Sequence, residues 1–209
     1  MFSSLVRFFN KLATGKIQTE PCLPGPFGYK TAWYAIKGEP SYSVIQKLGL
    51  EKLCAANWES GIGYIYNTSD GEVFVSPVVE GYVLVIGLNG DHDMVKKHAA
   101  LFDELQYFGN HRVADYYAWA MFSNGNLTRS YSSCGDTGEF WVEGKITAEE
   151  IELGFDKFPV KEICDDDYDK FEFADEAAVL KIAKAWGVDP LFADDERYEK
   201  STGHICKFK

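Results

Sequence analysis

One stretch sets the fold of this chain, YYAWAMF-SNG-NLTRSYS, which occupies residues 116–132. Two runs of aromatic and β-forming residues flank Asn124 and Gly125, a dipeptide that readily adopts the positive φ angles of a tight hairpin turn. Alternate side chains of a strand face opposite sides of the sheet, so Tyr117 and Trp119 share one face. The stretch predicts an antiparallel hairpin.

Weaker patterns along the chain predict the other elements. Strands are indicated by β-forming or alternating runs between turn residues, at 29–36, 62–66, 72–76, 82–86 and 140–143. Helices are indicated by one-face apolar spacing, at 41–48 and at 94–105 with Asp91 or Asp93 as the cap. Two more are indicated by their caps, one opened by the capping box of Thr147 and Glu150 and the last by Asp175. Since no βαβ alternation appears, the sheet is expected to be antiparallel. The predicted class is α+β, with about six to eight short strands and helices on one face and towards the C-terminus.

Composition divides the chain into three parts. Residues 18–28 hold three prolines and two glycines, which prevent regular structure. We therefore expect an N-terminal helix and linker over residues 1–28 and a single α+β domain over residues 29–190. The polar residues 191–209 are expected to form a loosely held tail.

The overall charge narrows the possible functions. The 209 residues include 21 Lys and Arg against 32 Asp and Glu, a net charge of −11, and 15% are aromatic. So much apolar material excludes a wholly disordered protein, and the acidity argues against non-specific nucleic-acid binding. Five cysteines without C-x-x-C spacing, and without a secretory signal, predict reduced thiols in a cytoplasmic protein. No metal or cofactor is expected.

Residues 1–16 predict a short basic amphipathic helix. Phe2, Leu5 and Phe9 follow helical spacing, and Arg7 and Lys11 add positive charge. Such a helix can lie on an anionic membrane surface. We favour the alternative, in which it docks on the acidic body of its own chain.

One cluster has the residue types of a small acid–base site. His111 and Arg112 are adjacent, with Glu104 before them and Asp115 after them. An imidazole can shuttle protons near neutral pH, and a guanidinium can hold a carboxylate or phosphate at two points. The favoured alternative is structural, with Arg112 paired to Asp115 or Glu104 so that the loop is pinned.

A second set of residues suggests contact with another protein. Fifteen acids and four bases lie between residues 136 and 176, and such localised charge attracts a basic partner. Exposed Tyr and Trp side chains dominate interface hot spots. The candidate partner-binding residues are Asp165, Asp166, Asp167, Asp169, Trp141, Trp119 and Tyr117. The alternatives are a solvated acidic loop and a sheet whose two faces are both buried under helices.

Several short motifs resemble an uncharacterised family of bacterial cytoplasmic proteins, over about residues 30–190. The motifs are NWESG at 57–61, VFVSP at 73–77, GYVLVIG at 81–87, QYF at 106–108, HRV at 111–113, AWA at 118–120 and AWGVDP at 185–190. That family has no established activity, so the resemblance implies no catalytic residue.

The favoured function at this point is a protein-binding or inhibitor role of the immunity type. In it, an acidic, aromatic-rich surface caps a basic protein, and the absence of a catalytic signature argues against an enzyme. The alternative is a small-molecule-binding protein or enzyme with a pocket at His111 and Arg112.

Overall fold

The computed structural model describes residues 16–68, 71–161, 171–193 and 195–209. The helix predicted for residues 1–16 lies outside them, apart from Lys16. The strands are β1 (Thr31–Lys37), β2 (Leu50–Asn57), β3 (Glu72–Val79), β4 (Tyr82–Leu88), β5 (Glu104–His111), β6 (Tyr116–Ser123), β7 (Asn126–Cys134), β8 (Glu139–Phe140), β9 (Glu143–Gly144) and β10 (Thr202–Phe208). The helices are α1 (Ser41–Lys47), α2 (Trp58–Asn67), α3 (His92–Ala99), α4 (Ala148–Glu152) and α5 (Glu176–Trp186).

The ten strands of the described residues belong to one antiparallel sheet. Its order is β2-β10-β3-β4-β1-β5-β6-β7-β8, and β9 pairs separately with β7. The α+β class and the antiparallel sheet are confirmed. The predicted count of six to eight strands is too low, because β2, β5 and β10 were not recognised.

Both faces of the sheet are buried, which corrects the prediction of helices on one face. Along β1, Trp33 belongs to one core cluster and Tyr34 to the other, as strand alternation requires. The first cluster includes the apolar faces of α2 and α5, and the second includes those of α1 and α3. The sheet is therefore a central layer whose strands carry apolar side chains on both faces.

The hairpin at residues 116–132 is confirmed. Asn124 and Gly125 have φ values of 48° and 73°, as a two-residue turn of type I′ requires. Ser123 pairs with Asn126 across this turn.

The strand predicted at 62–66 is wrong, since these residues lie in α2. The Asn57 side chain caps the helix by accepting from the Ser60 amide at 3.0 Å. Trp58, Ile62 and Ile65 then repeat at helical spacing and are buried.

The helix predicted over residues 94–105 is too long. Of the two candidate caps it is Asp91 that caps α3, accepting from Met94 N at 2.9 Å, but the helix ends at Ala99. Leu105 lies in β5, opposite Ile36 of β1. Pairing with β1 satisfies the backbone of this segment in place of a further helical turn.

The predicted polar tail also needs correction, because its last residues form β10 between β2 and β3. Ile205 and Cys206 are fully buried there, one in each core cluster. The neighbouring lysines and histidine conceal a strand whose backbone is hydrogen-bonded on both sides.

Candidate functional site

A cleft of about 460 Å³ opens at one end of the sheet. Antiparallel order brings the first residues of β1, β3 and β6 together with the last residues of β4, β5 and β7. Thr31 pairs with Asn110, and Tyr116 pairs with both His111 and Cys134. The C-terminal part of α2, which includes Tyr66, supplies another part of the wall.

Asn110 is the most unusual residue of this cleft. Its side chain follows Phe108 on the same face of β5 and is 1% exposed. Within the described part of the chain, neither its amide nitrogen nor its amide oxygen has a hydrogen-bond partner. A buried polar group left in this way costs about 1–3 kcal/mol. The fold therefore buries a donor and an acceptor beside the cleft without pairing them to any described residue.

Glu72 places a second buried polar group on the cleft wall. It is the first residue of β3 and is 7% exposed. Its Oε1 lies 3.5 Å from Lys207 Nζ, whereas no described residue hydrogen-bonds its Oε2. The ammonium of Lys207 offsets the charge and leaves one carboxylate oxygen as an available acceptor.

Two tyrosines and a histidine form a hydrogen-bonded chain that starts at the cleft. Tyr107 Oη lies 3.1 Å from Tyr116 Oη, which lies 3.2 Å from His92 Nε2. Burial raises the pKa of Tyr107 to about 12 and also raises the pKa of Tyr116. Both phenols therefore stay protonated near neutral pH and can donate hydrogen bonds.

The environment of His92 favours its neutral form. Burial lowers its pKa, and Lys96 acts in the same direction, against smaller opposing effects of Asp91, Glu139 and Asp93. Its ring also stacks on Trp141, with the centroids 4.1 Å apart. A neutral imidazole can accept a hydrogen bond from the Tyr116 hydroxyl, which is the direction that completes the chain.

The four residues predicted as an acid–base cluster are not brought together. His111 is exposed and lines the cleft, but Arg112 Nη1 lies 3.8 Å from Glu176 Oε2. Glu104 is at the far end of β5, about 23 Å along the strand, and lies 3.1 Å from Lys37. Asp115 accepts from Gly135 N through its backbone oxygen. Of these four, His111 alone is among the residues that line the cleft.

The predicted aromatic surface is largely internal. Trp119 is fully buried and donates to Glu150 Oε1 at 2.8 Å. Trp141 is 7% exposed, and Tyr117 is half-buried. The two tryptophans are therefore core residues, as the alternative of two covered faces expects. The acidic candidates lie outside the described residues: Asp165, Asp166, Asp167 and Asp169.

Glu150 anchors a buried polar network away from the cleft. Arg129 donates to its carboxylate through Nε, at 2.9 and 3.0 Å, and through Nη2, at 2.7 Å. The amide of Thr147 donates to Oε2 at 2.8 Å, which completes the predicted capping box of α4. Both carboxylate oxygens of Glu150 accept hydrogen bonds, and the network stabilises the packing of the core.

Sequence reasoning missed Asn110, Glu72 and the two tyrosines of the cleft. A signal exists for Asn110, because it shares a strand face with Phe108 and Gln106, where an apolar residue is the norm. The sequence contains no such signal for Glu72, because an acidic residue at the first position of a strand is common.

No group of three or more His, Cys, Asp or Glu side chains in the described ranges is arranged to hold a metal ion. No helix in the same ranges has the length and apolar character needed to cross a membrane.

Comparison with known proteins adds no relative. The chain matches no protein-family model, no curated protein and no solved structure.

Proposed function

We propose that this protein binds a small polar molecule in the cleft at the sheet end. The observation that carries the proposal is the Asn110 amide, which is 1% exposed and has no hydrogen-bond partner among the described residues on either polar atom. Because buried polar groups in proteins are almost always paired, such an amide needs a reason. A bound molecule that supplies one donor and one acceptor is a sufficient reason.

The size and lining of the cleft support the same proposal. Its volume of about 460 Å³ falls in the range of small-molecule sites, roughly 300–1,000 Å³. Apolar side chains such as Ala32, Ile65 and Leu88 line it together with polar groups. This mixture of apolar wall and few polar groups is typical of sites that bind and orient a ligand.

Binding is proposed rather than catalysis. The acid–base hypothesis needs His111 and Arg112 at one pocket, and Arg112 instead faces Glu176. His111 can contact a ligand at the mouth of the cleft, but no second residue of the predicted cluster stands beside it there to complete an acid–base pair.

An NMR titration tests the proposal. The protein, labelled with ¹⁵N, is mixed in turn with amino acids, sugars, carboxylic acids and nucleosides, and the side-chain amide resonances are followed. A compound that occupies the cleft shifts the Asn110 amide and leaves that of Gln106 in place. Gln106 is the internal control because it lies four residues earlier in β5 and donates to Trp186 O at 3.1 Å, away from the cleft. If no compound class shifts the side-chain amide resonance of Asn110, the proposal fails.

A second proposal retains the protein-binding hypothesis, in which the protein caps a basic partner. The charge favours it, since the residues between 136 and 176 alone have a net charge of −11. Co-expression with the products of neighbouring genes tests it, and the affinity of a genuine partner is expected to fall as salt rises. Failure to co-purify with any of them counts against it.

A further inference from the structure

We propose that the ligand of the cleft is an uncharged nucleoside. Its base edge pairs with the Asn110 amide, and its sugar hydroxyls donate hydrogen bonds to the Glu72 carboxylate. This inference rests on the proposed function and adds the ligand class. It is argued from the two buried side chains, their separation and the charge of the wall.

The Asn110 amide has the pattern that a nucleobase edge requires. Its Nδ2 donates and its Oδ1 accepts, side by side in one plane. An adenine edge offers the complementary acceptor and donor, and such bidentate pairing with asparagine is a recurrent means of base recognition. Since Asn110 is 1% exposed, the groups that cover the amide must move aside as the base enters.

Glu72 provides a suitable partner for sugar hydroxyls. Its Oε2 is an acceptor without a hydrogen bond from any described residue. Carboxylates recognise ribose in this way, by accepting from a hydroxyl group. Lys207 Nζ lies 3.5 Å from the other oxygen, Oε1, so Oε2 is the acceptor of this carboxylate that is left for a ligand.

The separation of the two groups fits one nucleoside. Glu72 and Asn110 share the sheet face of Phe74 and Phe108, because each lies two residues from one of these phenylalanines. The order β3-β4-β1-β5 places three strand spacings, about 14 Å, between them. Because strand side chains stand roughly perpendicular to the sheet, their polar atoms keep about this backbone spacing, and two hydrogen bonds of about 2.9 Å leave about 8 Å for the ligand, the reach of one base and one sugar.

The charge of the wall favours the nucleoside over its phosphates. Among the described residues that line the cleft, Lys30 is the only Lys or Arg, and the one acid, Glu72, is already paired with Lys207. Phosphate sites normally collect arginines or the N-terminus of a helix. At this cleft, α2 instead presents its C-terminal part.

Calorimetric titration of the full chain tests the inference with five probes: adenosine, uridine, adenine, ribose and AMP. The variants are Asn110→Leu, which keeps the size of the side chain, and Glu72→Met, which removes the acceptor. Gln106→Leu is the matched control, since it changes a buried amide in the same strand outside the cleft. Circular dichroism confirms that each variant is folded.

The expected result is that a nucleoside binds and that Asn110→Leu weakens it about tenfold or more, the effect of one lost bidentate pair. Glu72→Met should weaken the nucleoside and leave free adenine unchanged. Gln106→Leu should lower stability but not affinity, and AMP should bind more weakly than adenosine.

Three results overturn the inference. If another compound class shifts the Asn110 resonance while nucleosides do not bind, the ligand class is wrong and the proposed function stands. If nucleosides bind equally to wild type and both variants, the assigned contacts are wrong. If no compound of any class binds at the cleft, the proposed function fails as well.

Discussion

Replacing Glu150 by glutamine should destabilise this protein strongly. Glu150 is fully buried, and Arg129, with 6% of its side chain exposed, donates to both of its carboxylate oxygens. Trp119 and the amide of Thr147 donate to the same carboxylate. Glutamine preserves the shape of the side chain but removes the charge and turns one acceptor into a donor.

The size of the effect follows from two losses. Removing one partner of a buried ion pair leaves the other charge uncompensated, which costs about 3–5 kcal/mol. The new amide nitrogen also faces an N–H donor, Trp119 Nε1 if it replaces Oε1 or Thr147 N if it replaces Oε2, and leaving that donor unpaired costs about 1 kcal/mol more. We therefore expect Glu150→Gln to lower the free energy of unfolding by about 4–6 kcal/mol, a large part of the total for a domain of this kind.

Urea unfolding at neutral pH measures this loss. Glu152→Gln is the control, because this exposed residue lies in the same helix and should change stability by less than about 0.5 kcal/mol. The double variant Glu150→Leu with Arg129→Met should be more stable than Glu150→Gln, since no unpaired charge remains. The reasoning is refuted if Glu150→Gln and Glu152→Gln give equal stabilities.

Two further predictions concern stability. Gly61→Ala should lower the free energy of unfolding by about 1–3 kcal/mol, because a Cβ there would lie 2.3 Å from the Phe74 ring. Gly63→Ala in the same helix is the control: its Cβ meets no atom within 4 Å, so it should raise the free energy of unfolding by up to about 1 kcal/mol. Equal effects of the two variants in thermal unfolding would contradict this packing. Stability should also be complete above about pH 6.5, the ordinary histidine pKa, and fall as the pH drops below it. The cause is burial, which lowers the pKa of three histidines, so that the unfolded chain binds more protons: His92, His98 and His204. Chemical unfolding at a series of pH values checks the slope, which should be flatter in His204→Gln.

Local signals in the sequence predicted the parts of the fold that depend on local interactions. The Asn124-Gly125 turn, the capping box at Thr147 and the cap at Asp175 are all present in the structure. Each depends on residues within a few positions of one another, and their chemistry is legible without the rest of the chain.

Two of the errors arise where pairing with a distant strand determines the structure, whereas the error at 62–66 overlooked a local cap and local helical spacing. β10 becomes a strand because β2 and β3 flank it, although its own sequence is polar and charged. β5 replaces the predicted end of a helix because β1 lies beside it. Such strands are stabilised by pairing with strands that are distant in the sequence. The periodicity of the strand's own residues does not indicate that pairing.

The candidate site was predictable only at His111. The sheet register brings Glu72, Asn110 and Tyr116 from three separate strands to the same end of the sheet. The spacing of these residues along the chain does not indicate that they lie close together. Conversely, His111 and Arg112 are adjacent in sequence but point to different surroundings, as neighbours at the end of a strand commonly do.

The most direct test of the account is the stability of Asn110→Leu without added ligand. If the amide is kept for binding and has no partner in the fold, its replacement by an apolar side chain of similar size should leave stability unchanged or raise it by up to about 1–3 kcal/mol. Urea unfolding of the two proteins gives the answer. A loss of more than about 1 kcal/mol would contradict the account, because it would mean that the amide already has a structural partner.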